Sequence, residues 1–234
     1  MKRIHIPTLG VCEWRRFLAD PDTHWKRKAS AMELAISWEY AQSTKRGLPA
    51  EVARALDNQP ALSGAYLLFA FPEHKVDLQS KGKASQNDVW ALLLTDNGYL
   101  SMTVEAKAGE KFDVTLAKWL SNRSKGRPER LNSLCEILQV TLSPPCDLRY
   151  QLFHRTASAV LEAQRCRAPL ALMLVQSFRE DVQLWNDFEA FCNLLGAKAD
   201  RGEIMEARRN GSPRLFLGWV DSQVASDAKI AGVV

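Results

Sequence analysis

The chain contains no Cys-x-x-Cys pair. Its five cysteines, Cys12, Cys135, Cys146, Cys166 and Cys192, are scattered, which argues against a zinc site or a disulfide framework. An odd number of cysteines and no secretory leader fit a reducing cytoplasm. The start, Met1-Lys-Arg-Ile-His5, is basic, but no apolar signal core follows it. No apolar run is long enough to span a bilayer, so no membrane partner is expected. Charge of one sign is also lacking. Thirty-one Lys and Arg against 27 Asp and Glu leave a net charge of +4, too little to argue for nucleic acid by itself. There is no internal repeat and no low-complexity segment.

What is present is an ordinary globular composition, 46% hydrophobic and 25% charged, in 234 residues. That length can bury a sizeable core and suits a single domain over 1–234. Its core would cover about 30–195, with elaborations at 1–29 and 196–234. Seven tryptophans are spread through the expected elements and read as core anchors rather than as a stacking platform.

Ser30-Ala-Met-Glu33 has the spacing of a capping box and opens a helix with Ala31, Leu34, Ala35, Trp38 and Ala41 on its apolar stripe. Gly47 ends it, and Pro49 starts a short helix to about Asp57. Gly64 to Phe71 is a strong strand, and His74 to Ala84 reads as a strand end and loop. Helices are expected after Asp113, with Val114, Ala117, Trp119 and Leu120 apolar, from Glu129 to Val140, and from a capping Asp147 to about Arg167. Leu170 to Phe178 is a buried strand, expected to run parallel to the Tyr99 strand. A helix from Val182 to Leu195 and a last strand from Leu215 to Val220 complete the chain.

The centre of the sequence is a hairpin. Ser85 to Thr95 is almost unbroken in its apolar run, as in a strand buried on both faces. Asp96-Asn-Gly98 is turn chemistry. The second arm alternates. Leu100, Met102, Val104 and Ala106 point one way, and Ser101, Thr103, Glu105 and Lys107 point the other. Asp88 opens the neighbouring strand, so Asp88, Glu105 and Lys107 can meet at one end of the hairpin. Two carboxylates held together repel, and a divalent cation resolves the conflict. Hard oxygen ligands suit Mg²⁺ or Mn²⁺, and a lysine beside the ion can assist an attacking water and stabilise charge on a phosphate. The competing reading is a wet strand face, where Thr, Glu and Lys alternate because that side is solvated. A second Glu-x-Lys, Glu73-His-Lys75, follows Pro72, which argues against a central strand there.

An acidic residue, a gap of sixteen residues, then Glu-x-Lys on a strand resembles the PD-(D/E)xK nuclease superfamily. The resemblance covers roughly Ser30 to Phe178. Asn87, not Pro, precedes Asp88, a departure from the family motif. The resemblance implies an α/β fold with a restriction-endonuclease-like αβββαβ core, a central mixed sheet flanked by helices. It makes Asp88, Glu105 and the backbone carbonyl of Ala106 metal ligands, and Lys107 the catalytic lysine. Glu33 has two readings, a capping residue or the acid that many members bring to the metal from the first helix. Gln151 matches a glutamine that some branches place on the helix after Glu-x-Lys. Arg155 then stands where those branches have Tyr, and the alternative for both is the exposed face of an amphipathic helix.

The most basic segment, Lys118 to Arg130, follows the motif. Arg123, Lys125 and Arg127 there, with Arg155, are candidate phosphate contacts, against the reading of a solubilising loop. The cluster His24-Trp-Lys26-Arg27-Lys28 reads as a solvated loop. The expectation is a Mg²⁺- or Mn²⁺-dependent nuclease hydrolysing DNA by a metal-activated water, with RNA as the second candidate polymer. The alternative is an inactive nuclease-like module that binds nucleic acid or protein. The absence of a separate recognition domain favours a homodimer or a subunit of a larger complex.

Overall fold

A computed structural model describes residues 8, 10–121 and 126–226. After a 3₁₀ helix at Val11–Phe17 come α1 (Pro21–His24), α2 (Ser30–Ala41) and α3 (Ala50–Asn58). Strands β1 (Tyr66–Val76), β2 (Ser85–Thr95) and β3 (Gly98–Lys107) follow, then α4 (Leu116–Ser121), α5 (Gly126–Leu138) and α6 (Tyr150–Arg165). The chain continues through β4 (Leu170–Ser177), α7 (Val182–Leu194), β5 (Ile204–Glu206) and β6 (Arg214–Asp221).

The strands form one six-stranded mixed sheet in the order β1-β2-β3-β4-β6-β5. β1, β2 and β3 are antiparallel neighbours, β4 lies parallel to both β3 and β6, and β5 closes the far edge antiparallel to β6. This is an α/β architecture with helices on both faces. On one face Trp14, Trp38, Val52 and Leu56 pack with Leu100, Met102 and Val104 of β3. On the other, α5, α6 and α7 bury Leu134, Phe153 and Phe188 against Met173, Val175 and Trp219. Burying a side chain such as Phe153 or Leu100 contributes about 1.5–3 kcal/mol each, so both faces of the sheet are held by the helices packed on them.

The alternation of β3 follows the expected faces, with a difference in kind. Ser101, Thr103, Glu105 and Lys107 are buried, not wet. α6 lies on them, and Ser101 Oγ and Thr103 Oγ1 donate to the carbonyls of Ala159 and Arg155, each at 3.1 Å. A polar strand face can be buried only when its groups find partners of this kind.

Other local readings change. Ser30 is not the cap of α2; Ala29 holds that place without a side-chain bond. α6 begins at Tyr150 rather than at Asp147. β1 continues past Pro72 to Val76, because β1 is an edge strand and proline is tolerated there. β5 is a three-residue edge strand in a stretch too polar to read as sheet. Trp14, Trp38, Trp90 and Trp219 are buried anchors, as expected. Among the described residues no helix is long and apolar enough to cross a membrane.

Candidate functional site

Register places the site. Val89 faces Val104 in the last paired position of β2 and β3, so the next residues along, Asp88 and Glu105, stand side by side where the ladder opens. On the other side of β2, the pairs Pro72 with Val89 and His74 with Asn87 bracket Glu73 and Asp88. Glu73, Asp88 and Glu105 therefore form a row across three adjacent strands. Glu73 has a φ of 52°, a left-handed conformation that interrupts its own pairing with β2.

Glu105 is held from three directions. Its Oε1 accepts from Lys107 Nζ at 2.7 Å and from Gln151 Nε2 at 2.6 Å, and its Oε2 accepts from Arg155 Nε at 2.5 Å. Lys107 Nζ also donates to Gln151 Oε1 at 3.1 Å and lies 5.0 Å from the centre of the Phe112 ring. Asp88 Oδ2 accepts from the Ala106 N–H at 2.8 Å, and its Oδ1 lies 3.8 Å from Arg155 Nη2. The Asp88 side chain is 22% exposed and that of Glu105 3%, so Asp88 is the carboxylate open to solvent. Gln86 Nε2 donates to Glu73 Oε2 at 2.8 Å.

The electrostatics divide these acids. Burial alone would raise Glu105, but the Arg155 guanidinium and the Lys107 ammonium outweigh it and hold Glu105 down at about 2. Asp88 is pushed well above the usual carboxylate range, first by burial and then by repulsion from Glu105. Burial pushes Glu73 up to about 7 against the hydrogen bond from Gln86. Two of the three carboxyls thus lack enough cationic compensation.

The row opens into a cleft of about 550 Å³. Asp88, Glu105, Ala106, Lys107, Gln151 and Arg155 line its floor, and His24, Lys26 and Lys28 line its other wall. The basic cluster before α2 is therefore not a free solvated loop. Arg27 Nε donates to Glu33 Oε1 at 3.0 Å, and the Lys28 N–H donates to the same oxygen at 2.9 Å.

Glu33 is accounted for by these bonds. Its Oε2 accepts from the Ala225 N–H at 2.9 Å, its side chain is fully buried, and it lines a different, smaller pocket. The structure does not bring Glu33 to Asp88 and Glu105, because its oxygens tie the basic loop and the C-terminal segment to α2 instead. Nor does it form the expected capping box. Gln151 and Arg155 are not on an exposed helix face; both are in the cleft. Arg127 lies away from the carboxylates, in a second pocket with Trp119 and Arg130. Arg123 and Lys125 lie outside the described residues. Gln176, near the end of β4, binds Trp38, Ser37 and Ser222 on the opposite face.

Glu73 and Gln86 are the site residues missed in the sequence. Pro72 argued against a strand at Glu73, and the register that sets Glu73 opposite Asp88 is made across the long β1–β2 connection, which offers no tight turn to count from. Among the described residues no three His, Cys, Asp or Glu side chains are placed to hold a metal ion among themselves.

Fold and site together define an α/β protein with a buried, charged cluster at the ends of adjacent strands, opening to a cleft. The chain belongs to the family described as a domain of unknown function (DUF6946), whose model matches residues 7–224. No curated protein and no solved structure matches it.

Proposed function

We propose that this protein is a divalent-metal-dependent nuclease that hydrolyses DNA phosphodiester bonds, built on a restriction-endonuclease-like core of the PD-(D/E)xK kind. The observation that carries the reading is the convergence of Asp88, Glu105, Lys107 and Gln151 in one cleft, from the two arms of one hairpin and a helix some forty residues further along the chain. The order α2, β1, β2, β3, α6, β4 is compatible with that core.

The donor set suits a hard cation. Asp88 and Glu105 supply carboxylate oxygens on adjacent strands, and burial and the Glu105 charge make Asp88 hold a proton that a divalent cation would replace. Asp88 and Glu105, with the Ala106 carbonyl, would hold Mg²⁺ or Mn²⁺. Bound there, the ion would lower the pKa of a water and polarise a phosphoryl oxygen. The chain's own residues set the rest. Gln151 bridges Glu105 and Lys107 and so orients both. Lys107, fixed at 2.7 Å from Glu105, presents its ammonium where charge grows on the phosphate. Lys26 and Lys28 on the facing wall attract the polyanionic backbone.

One observation favours a second reading. Arg155 binds Glu105 and approaches Asp88, standing where a cation would compensate both. In that reading the cluster is an ion-pair core of an inactive nuclease-like module that binds nucleic acid or protein.

Plasmid and single-stranded DNA cleavage with Mg²⁺ or Mn²⁺ separates the two. The expected outcome is metal-dependent cutting that is lost in both Glu105→Gln and Lys107→Met, with Mn²⁺ binding by calorimetry abolished in Asp88→Asn. A folded wild type that neither cuts nor binds Mn²⁺ sinks the nuclease reading in favour of the module.

A further inference from the structure

A second cavity, about 660 Å³, lies on the other side of the wall formed by α6. Lys81, Lys83, Arg127 and Arg130 line it against one carboxylate, Asp113. Burial and the neighbouring Arg155 keep His154, also on its wall, well below the usual histidine range, so it adds no charge at neutral pH.

Arg130 is the centre of this pocket. It is 7% exposed. Its Nε donates to Tyr150 Oη at 2.7 Å and its Nη2 to the Lys83 carbonyl at 2.6 Å. Its Nη1 is buried and has no hydrogen-bond partner. A buried guanidinium nitrogen left unpaired costs free energy that an arriving anion recovers. The loop that carries the two lysines is shaped around it. Gly82 has a φ of 132°, and a Cβ there would stand 2.8 Å from Arg130 Nη1, so only glycine lets the loop lie on the guanidinium.

The aromatic surface in the pocket is already covered. Trp119 stacks on Tyr150 at 3.9 Å between centroids, and Arg127 lies over Trp119 at 5.2 Å. Arg127 Nη1 also donates to the Trp119 carbonyl. That column holds Arg127 in place and leaves no free ring face for a base. The ligand that fits is an anion, not a stacking ring.

The two cavities share their wall. Tyr150 and His154 of α6 face the second pocket, and the next residues, Gln151 and Arg155, face the carboxylate cleft. Ser85 joins them, 2.8 Å from His154 Nδ1 and accepting from Arg155 Nη1 at 3.3 Å. A ligand with regularly spaced phosphates can enter both.

The geometry points to a phosphate-binding subsite formed by Lys81, Lys83, Arg127 and Arg130, which holds a phosphate group of the same polynucleotide that the carboxylate cleft engages. This rests on the nuclease reading for its polymer but not for its anion.

The test is binding of fluorescein-labelled DNA, single-stranded and duplex, in EDTA over a salt series, with inorganic phosphate as competitor. Wild type is compared with Arg130→Gln and with Lys81→Ala/Lys83→Ala. Both lysines are exposed, so the double variant does not threaten the fold. The expected result is an affinity loss of about tenfold or more in each, with the salt slope reduced by about 1 for each lost phosphate contact. Millimolar phosphate competes with DNA in the wild type and loses that effect in the variants. Unchanged affinity and slope in both variants, or a wild type that binds neither DNA nor phosphate, overturns the proposal. Phosphate binding lost in the variants while DNA binding is untouched also overturns it, and assigns the pocket to a small phosphoanion. Because EDTA excludes metal, dependence of DNA binding on this pocket supports the subsite even if Mn²⁺ fails to bind at Asp88 and the nuclease reading falls.

Discussion

The two faces of β3 share one backbone and are buried almost equally, but by different means. Leu100, Met102, Val104 and Ala106 are held by packing under α2 and its neighbours. Ser101, Thr103, Glu105 and Lys107 are held under α6 by directed hydrogen bonds and ion pairs. An apolar face tolerates a partner that is merely the right size. A polar one requires that each group be matched, so it binds α6 at one register and keeps charges ready at the cleft.

The largest expected effect tests that matching. Arg155→Met removes the guanidinium from Glu105 and Asp88 and should destabilise by about 3–5 kcal/mol, read by chemical denaturation, because buried carboxylates are left uncompensated. A loss below about 1 kcal/mol would mean that the polar face is held like the apolar one. On the opposite face, Met102→Ala should cost about 2–4 kcal/mol through cavity formation, with no dependence on salt or pH.

A pH series sharpens the contrast. Glu73 is raised from 4.5 to about 7, so the folded state keeps a proton that the unfolded chain has released. The stability this gives is complete below about pH 4.5 and is lost as pH rises through about 7. Asp88 shifts in the same direction. Without a divalent cation, stability should therefore fall between about pH 4.5 and 7, and Glu73→Gln should recover about 1–2 kcal/mol at the upper end, allowing for partial exposure. A flat profile in the wild type would remove Glu73 from the cluster. The smallest effect belongs to Thr103→Val, which deletes one hydrogen bond to the Arg155 carbonyl and should cost about 1 kcal/mol in thermal or chemical melts.

Much of this was legible. The hairpin, its turn, the parallel strand at Leu170 and the helices around them follow from periodicity and turn chemistry, which act within a few residues. So does the shared face of Glu105 and Lys107. The ends of elements were less legible. α6 starts three residues after Asp147, and β1 runs through Pro72, because edge position rather than local preference decides what a proline does to a strand.

Alternation along β3 determined, from sequence alone, which residues share a face and that two acids and a lysine gather at one strand end. Only the tertiary structure decided what that face meets. Gln151 lies 44 residues from Lys107, and Arg155 lies 50 from Glu105. The loop at Lys26 and Lys28, the carboxylate of Glu73 and the withdrawal of Glu33 toward Ala225 were likewise settled by packing. The reason is physical. Periodicity sets the direction of a side chain, whereas burial, pairing and the resulting charge state depend on whichever distant element covers it.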